Sequence, residues 1–187
     1  MIKQDSKISI VGCGGLGSNV ASCLVRAKFR NLSIIDFDIV SESNLDRQFF
    51  FFDQIGELKT ESLKVNLLRI HRDINIYDIC KRIDKSNIDN ILSEADVIFE
   101  CVDNASVKKM IVEYALTKNK LVIAASGVSE TCVEYPIHVK KMSSNFYLIG
   151  DNTTDIRTGQ RPYSAKVSVC AGYQADIAIS LMLKHNL

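Results

Sequence analysis

The sequence lacks an excess of charge of either sign: 23 Lys and Arg stand against 22 Asp and Glu, a net charge of +1 over 187 residues. That balance calls for neither a nucleic acid nor a membrane surface as partner, so any anion must be held by a local group of residues. The sequence also lacks a long apolar run, and none approaches the ~18 residues that a membrane-spanning helix needs. The opening MIKQDSK (1–7) is polar and has no signal-peptide character. A cytoplasmic protein is the expectation. The six cysteines, at 13, 23, 80, 101, 132 and 170, include no Cys-x-x-Cys pair. That absence removes the usual zinc spacings, so no zinc site is expected, and in a reducing compartment it favours buried free thiols over disulfides. The three histidines, His71, His138 and His185, stand in no partner pattern.

What is present is an alternation. Apolar strand-like runs at 8–11, 32–35, 74–79, 96–101 and 121–125 are separated by helix-like stretches at 17–28, 59–71, 86–93 and 104–118. This order predicts an α/β fold of Rossmann type: a mostly parallel sheet with helices on both faces. After Ala125 the alternation stops. Residues 130–139 and 145–149 read as further strands, expected to be antiparallel because no crossover helix divides them. Residues 151–164 are polar, carry one of only two prolines and read as an exposed loop. Residues 165–184 form a helix apolar almost all round, which must be buried within the domain or in a homodimer. At this length one domain, 1–187, is the simplest organisation.

The first strand meets Gly12, Gly14, Gly15 and Gly17 immediately before the first helix. Glycines at a strand-to-helix turn let the backbone approach a phosphate, whose charge the free N–H groups of the helix start favour. Asp36 follows Gly17 by nineteen residues, at the end of the second strand, where an acid takes ribose hydroxyls. That pattern fits NAD and ATP alike. Asn44, Arg47, Gln48 and Lys59 come next, a set of amide and cationic groups suited to a triphosphate rather than a pyrophosphate diester. Asp103, just beyond the 96–101 strand, falls on the same sheet edge and suits a magnesium anchor.

Gly-x-Gly-Gly-x-Gly-Ser (12–18), Asp-x-Asp (36–38), Ser-Asn-Leu-x-Arg-Gln (43–48), Ile-Gly-x-x-Lys (55–59) and Asp-Asn (103–104) together resemble the ThiF/MoeB/HesA family of the ubiquitin-activating-enzyme superfamily, collinearly over about 7–128. The resemblance implies ATP-dependent adenylation of the C-terminal glycine of a ubiquitin-like carrier with a Gly-Gly tail. It is nearest to compact ThiF members, whose carrier in thiamine synthesis is ThiS. It puts the phosphates on Gly12, Gly14, Gly15 and Gly17, the ribose on Asp36, the polyphosphate on Asn44, Arg47 and Lys59, and Mg²⁺ on Asp103. Arg47, Lys59 and Asp103 would carry catalysis. Asp38 and Gln48 either brace the segment after the second strand or touch substrate, Asn104 caps the next helix, and Phe49–Phe52 either pack or line the carrier's path.

Departures from the family pattern are also visible. Only MIKQDSK precedes the first strand, so the arginine that larger relatives lend to a neighbouring subunit is replaced by Lys3 or Lys7, or absent. Residues 151–164 contain no cysteine for a covalent step, which leaves Cys132 and Cys170 as candidates. Lys108 stands where the family has an arginine. An NAD(P)-binding oxidoreductase or sensor, and a non-catalytic scaffold of the same fold, are the competing readings.

Overall fold

The computed structural model describes residues 2–155 and 158–184; His185 lies outside them. Five parallel strands, β1 (Lys7–Val11), β2 (Asn31–Asp36), β3 (Asn75–Cys80), β4 (Val97–Glu100) and β5 (Leu121–Ala125), alternate with α1 (Gly15–Arg26), α2 (Lys59–Ile70), α3 (Ile88–Leu92) and α4 (Ala105–Thr117). Two more strands, β6 (His138–Ser143) and β7 (Phe146–Gly150), precede α5 (Ser164–Leu183). The seven strands form one sheet in the order β3-β2-β1-β4-β5-β7-β6.

Alternation along each strand supplies two faces. Ile8, Ile10, Leu32, Ile34, Val97, Phe99 and Ile123 pack with Val20 and Leu24 of α1, Leu63 and Leu67 of α2, and Ala171, Ala175 and Ala178 of α5. Their neighbours Val11, Ile35, Ile98 and Val122 point the other way, onto Ile88 and Leu92 of α3 and Ile111 and Ala115 of α4. In register, Ile10 lies between Ile34 of β2 and Phe99 of β4, so β1 is central and covered on both faces. Asn104 caps α4 as expected, its Oδ1 accepting from the N–H groups of Ser106 and Val107.

After Ala125 the expected antiparallel pair forms, with a later start and a parallel neighbour. Residues 130–137 do not form a strand: a turn at 132–134 and Pro136 interrupt them, and β6 begins only at His138. The antiparallel pairing is that of β6 with β7, whereas β7 itself joins β5 in parallel, Val122 opposite Phe146. A hairpin thus does the work of a crossover helix. Burial of α5 is one-sided as well. Lys166, Val167, Cys170, Ala171, Gln174 and Ala178 are covered, while Val169, Tyr173 and Leu183 are exposed.

Gly17 is the tightest position in this frame. A Cβ there would stand 1.8 Å from the Gly12 carbonyl oxygen, whereas a Cβ on Gly172, inside α5, would meet nothing within 4 Å. Gly17→Ala is therefore expected to destabilise by about 3 kcal/mol or more, or to prevent folding. Gly172→Ala, by contrast, gains helix propensity and should stabilise by up to about 1 kcal/mol. Urea unfolding of the two variants measures both signs.

Candidate functional site

A cleft of about 770 Å³ runs along the carboxyl ends of the parallel strands, walled by residues from the ends of β1, β2, β4 and β5. Gly12, Gly14, Gly15, Asp36, Asn44, Arg47, Lys59 and Asp103 all line it. Gly17 does not; its place is the helix-to-strand contact just described. Gly12 adopts φ +95° and its Cα lies so close to β4 that a Cβ would stand 2.7 Å from the Cys101 carbonyl oxygen. No side chain caps the start of α1 at Gly14, so the first-turn N–H groups are left for a ligand.

Asp36 is fixed by three backbone donors: Cys13 N–H at 2.6 Å, Phe37 N–H at 2.7 Å and Asp38 N–H at 3.0 Å. The carboxylate therefore ties the glycine turn to the end of β2. The segment after β2 is stitched onto the first turns of α1. Ser18 Oγ accepts from Phe49 N–H at 3.0 Å, and Asn19 Nδ2 donates to the Arg47 carbonyl at 3.0 Å. Asn44 is buried and caps its own turn, its Oδ1 accepting from Ser41 N–H at 3.1 Å. These bonds explain why a stretch with only two short 3-10 turns, Glu42–Asn44 and Phe52–Gln54, holds Arg47 beside the glycine turn.

Each cation expected at the phosphates rests on an anion. Lys59, a buried lysine, donates to Asp38 Oδ2 at 3.1 Å, so Asp38 does brace this segment. Arg47 donates to Asp46 Oδ1 at 2.6 Å and to the Ser43 carbonyl at 3.0 Å. Lys108 donates to Glu100 Oε2 at 2.5 Å; burial pushes the Glu100 carboxyl up although Lys108 pulls it down. Gln48 does not brace with its Oε1, which is buried on the cleft wall without a partner among the described residues. Asp103 is exposed at the mouth of the cleft, and its carboxylate makes no hydrogen bond or ion pair to the described residues.

Several wall residues were not singled out from sequence. Lys81 and Arg82 follow β3, and the Arg82 guanidinium stacks 4.1 Å from the Phe37 ring at the Asp36 end of the cleft. Ser126, Gly127, Ser129, Thr154 and Asp155 close the opposite end. There Lys166, fully buried on α5, donates to Asp151 Oδ2 at 2.5 Å and to the Ser129 carbonyl at 2.6 Å. Thr153 and Thr154 add donors to the same carboxylate. Burial alone would raise the Asp151 pKa, but Lys166 and the threonines outweigh it and hold it at about 2.

Other residues singled out from sequence lie away from the cleft wall. Lys7 pairs with Glu94 at the amino-terminal end of β1, the edge of the sheet opposite its own cleft, and Lys3 precedes it there. Cys170 is buried and its thiol is pushed up to about 12, which denies it nucleophilic reactivity at neutral pH. Of the phenylalanines, Phe50 is buried, Phe51 sits edge-on to Phe49 at 5.7 Å and Phe52 is exposed; none lines the cleft.

Comparison with known proteins adds relatives to this geometry. The model of the ThiF family matches residues 3–187. Molybdopterin-synthase adenylyltransferase of Escherichia coli (strain K12) is 37% identical over 109 residues, 58% of this chain and 44% of that protein. Adenylyltransferase and sulfurtransferase UBA4 of Candida glabrata is 35% identical over 126 residues, 67% of this chain and 29% of that protein. The matches thus span less than half the length of these relatives. Among solved structures, E. coli tRNA N6-threonylcarbamoyladenosine dehydratase, TcdA, in complex with ATP, shares the fold with a TM-score of 0.88 at 17% identity, covering 98% of this chain and 88% of that one. E. coli MccB with ATP does so with a TM-score of 0.77 at 24% identity, covering 97% and 57%.

The Asp151–Lys166 pair gives a pH test. A carboxyl whose pKa is depressed on folding contributes stability that is fully present above its unfolded value, near 4, and lost as pH falls through about 2. Wild-type stability should therefore fall between these limits. Asp151→Asn should lose about 3 kcal/mol at neutral pH, because it strands a buried ammonium, and should show a shallower slope below pH 4. Urea unfolding across that range measures both.

Proposed function

The chain belongs to the ThiF family, and from that premise we propose that it is an adenylyltransferase: it takes ATP into the cleft and transfers AMP to the C-terminal glycine carboxylate of a ubiquitin-like carrier protein, releasing pyrophosphate. The carrier ends in Gly-Gly, and ThiS is the first to test. One observation carries the reading. Side chains from separate stretches of chain, Asp36, Arg47, Lys59 and Asp103, share one cleft with the uncapped start of α1.

The chemistry needs little proton transfer. A terminal carboxyl, with a pKa near 3.5, is already ionised at neutral pH and attacks the α-phosphate directly. The barrier lies in bringing an anion to a polyanion and in stabilising charge on the departing pyrophosphate, so positioning and cations dominate. Arg47 and Lys59 supply fixed positive charge beside the glycine turn, and Asp36 orients the ribose. Asp103 suits a metal held by one carboxylate and the substrate phosphates; Mg²⁺ there would neutralise charge on the leaving oxygens.

An NAD-dependent activity would leave Arg47, Lys59 and Asp103 without a task. The exposed apolar residues Val169 and Tyr173, one turn apart on α5, support a homodimer. The test of function is carrier-dependent ATP–pyrophosphate exchange. Wild type should exchange, and Arg47→Ala or Asp103→Ala should lower the rate by about a hundredfold or more, the effect of losing one preorganised electrostatic group. Near-normal exchange in both variants, or tight NAD binding in place of ATP, refutes the assignment.

A further inference from the structure

We infer that Arg161 is a second arginine for the triphosphate, and that Asp46 is the carboxylate on which it and Arg47 are stored in the nucleotide-free protein. The inference rests on the ATP reading of the cleft given above and adds a residue that neither the glycine turn nor the 43–48 segment contains.

Asp46 has two oxygens and gives one to each arginine. Oδ1 accepts from Arg47 at 2.6 Å, and Oδ2 accepts from Arg161 at 3.3 Å, although Asp46 and Arg161 are 115 residues apart in the chain. The second contact is backed by fixed main chain. Glu130 N–H donates to the Arg161 carbonyl at 2.8 Å, and Arg161 N–H donates to Glu130 Oε1 at 3.1 Å. The next residue, Pro162, bridges to Glu130 and lines the cleft, as Arg47 does. The backbone at 161 is thus held at the rim, while the Arg161 side chain is 66% exposed, its guanidinium held by Asp46 and lying 5.7 Å from the centre of the Tyr163 ring.

The exchange favours the anion. A half-exposed carboxylate paired with an exposed guanidinium contributes little. A triphosphate offers several charged oxygens, pairs of which match the planar fork of a guanidinium. With a triphosphate on the glycine turn, Arg47 and Arg161 reach its β and γ groups from two sides of Asp46. Asp46 then opposes binding, because it competes with the nucleotide for both cations. Its removal and that of Arg161 must therefore act in opposite directions. A pin that merely holds the 158–162 segment in place would make the two losses equivalent.

Calorimetric titration with Mg²⁺–ATP and with AMP, in the absence of carrier, tests this on wild type, Arg161→Ala and Asp46→Asn. Arg161→Ala should weaken ATP about tenfold, the loss of one charge-assisted contact, and leave AMP, which lacks the β and γ groups, within twofold. Arg161→Lys should recover part of the loss. Asp46→Asn should tighten ATP about threefold or more. Unchanged ATP affinity in Arg161→Ala, an equal loss for AMP, or weaker ATP binding in Asp46→Asn overturns the inference while the ATP reading stands. Failure of the wild type to bind ATP overturns both.

Discussion

Nothing larger than a hydrogen fits where α1 crosses the end of β1. The Gly17 position lies against the Gly12 carbonyl, and Gly12 in turn lies against the carbonyl of Cys101 at the end of β4. Everything in the cleft is referenced to that contact. It brings the uncapped first turn of α1 to the sheet edge, and it puts Cys13 N–H within reach of the Asp36 carboxylate, so that the turn and the end of β2 move as one piece. It also sets the height of Ser18 and Asn19, which fasten Phe49 and Arg47 to the same helix. Two glycines therefore govern the placement of a carboxylate, Asp36, and a guanidinium, Arg47, that lie far from either of them in sequence.

On this frame the cations are arranged with counter-ions, and the burial of each counter-ion separates the cations available to a ligand from those committed to the fold. The Asp38 and Asp46 side chains that hold Lys59 and Arg47 are 50% and 38% exposed; Glu100, which holds Lys108, is fully buried. An exposed carboxylate released by its cation is resolvated by water at small cost. A buried one is not, and removing Lys108 would strand a charge inside the sheet. Breaking the Lys59 or Arg47 pair therefore costs less than breaking that of Lys108. Lys108, on the cleft wall, is tied through Glu100 to the end of β4.

The part of this that was legible in sequence is the part encoded locally. Apolar runs alternating with helix-like stretches pointed to the five parallel strands, the glycine spacing to the turn, and Asn104 ahead of the helix-like stretch to the α4 cap. Residues 12, 36, 44, 47, 59 and 103 reached one cleft because each follows a strand or a helix start on the same sheet edge. Pairings across long stretches of chain were not legible. The β6–β7 hairpin places β7 parallel to β5, and the chain ahead of it turns at 132–134, where Val133 and Tyr135 imitate strand alternation. Lys166 lies in a run that reads as apolar on every side, and its partners Asp151, fifteen residues earlier, and the Ser129 carbonyl make its burial tolerable. Arg161 and Asp46 carry no mutual signal at all at a separation of 115 residues.

The same contrast in burial organises the segment that leads from β7 to α5. Its first residue, Asp151, is held by Lys166 with both side chains almost wholly covered, and Ser129 and Thr154 complete the network. Near its other end, Arg161 is held by Asp46 at the surface. Breaking the first pair leaves an unpaired charge in the interior, so that end stays with α5 whatever occupies the cleft. Breaking the second leaves two groups in water. The end whose ion pair is cheaper to break is thus the one that carries Arg161 and Pro162 along the rim.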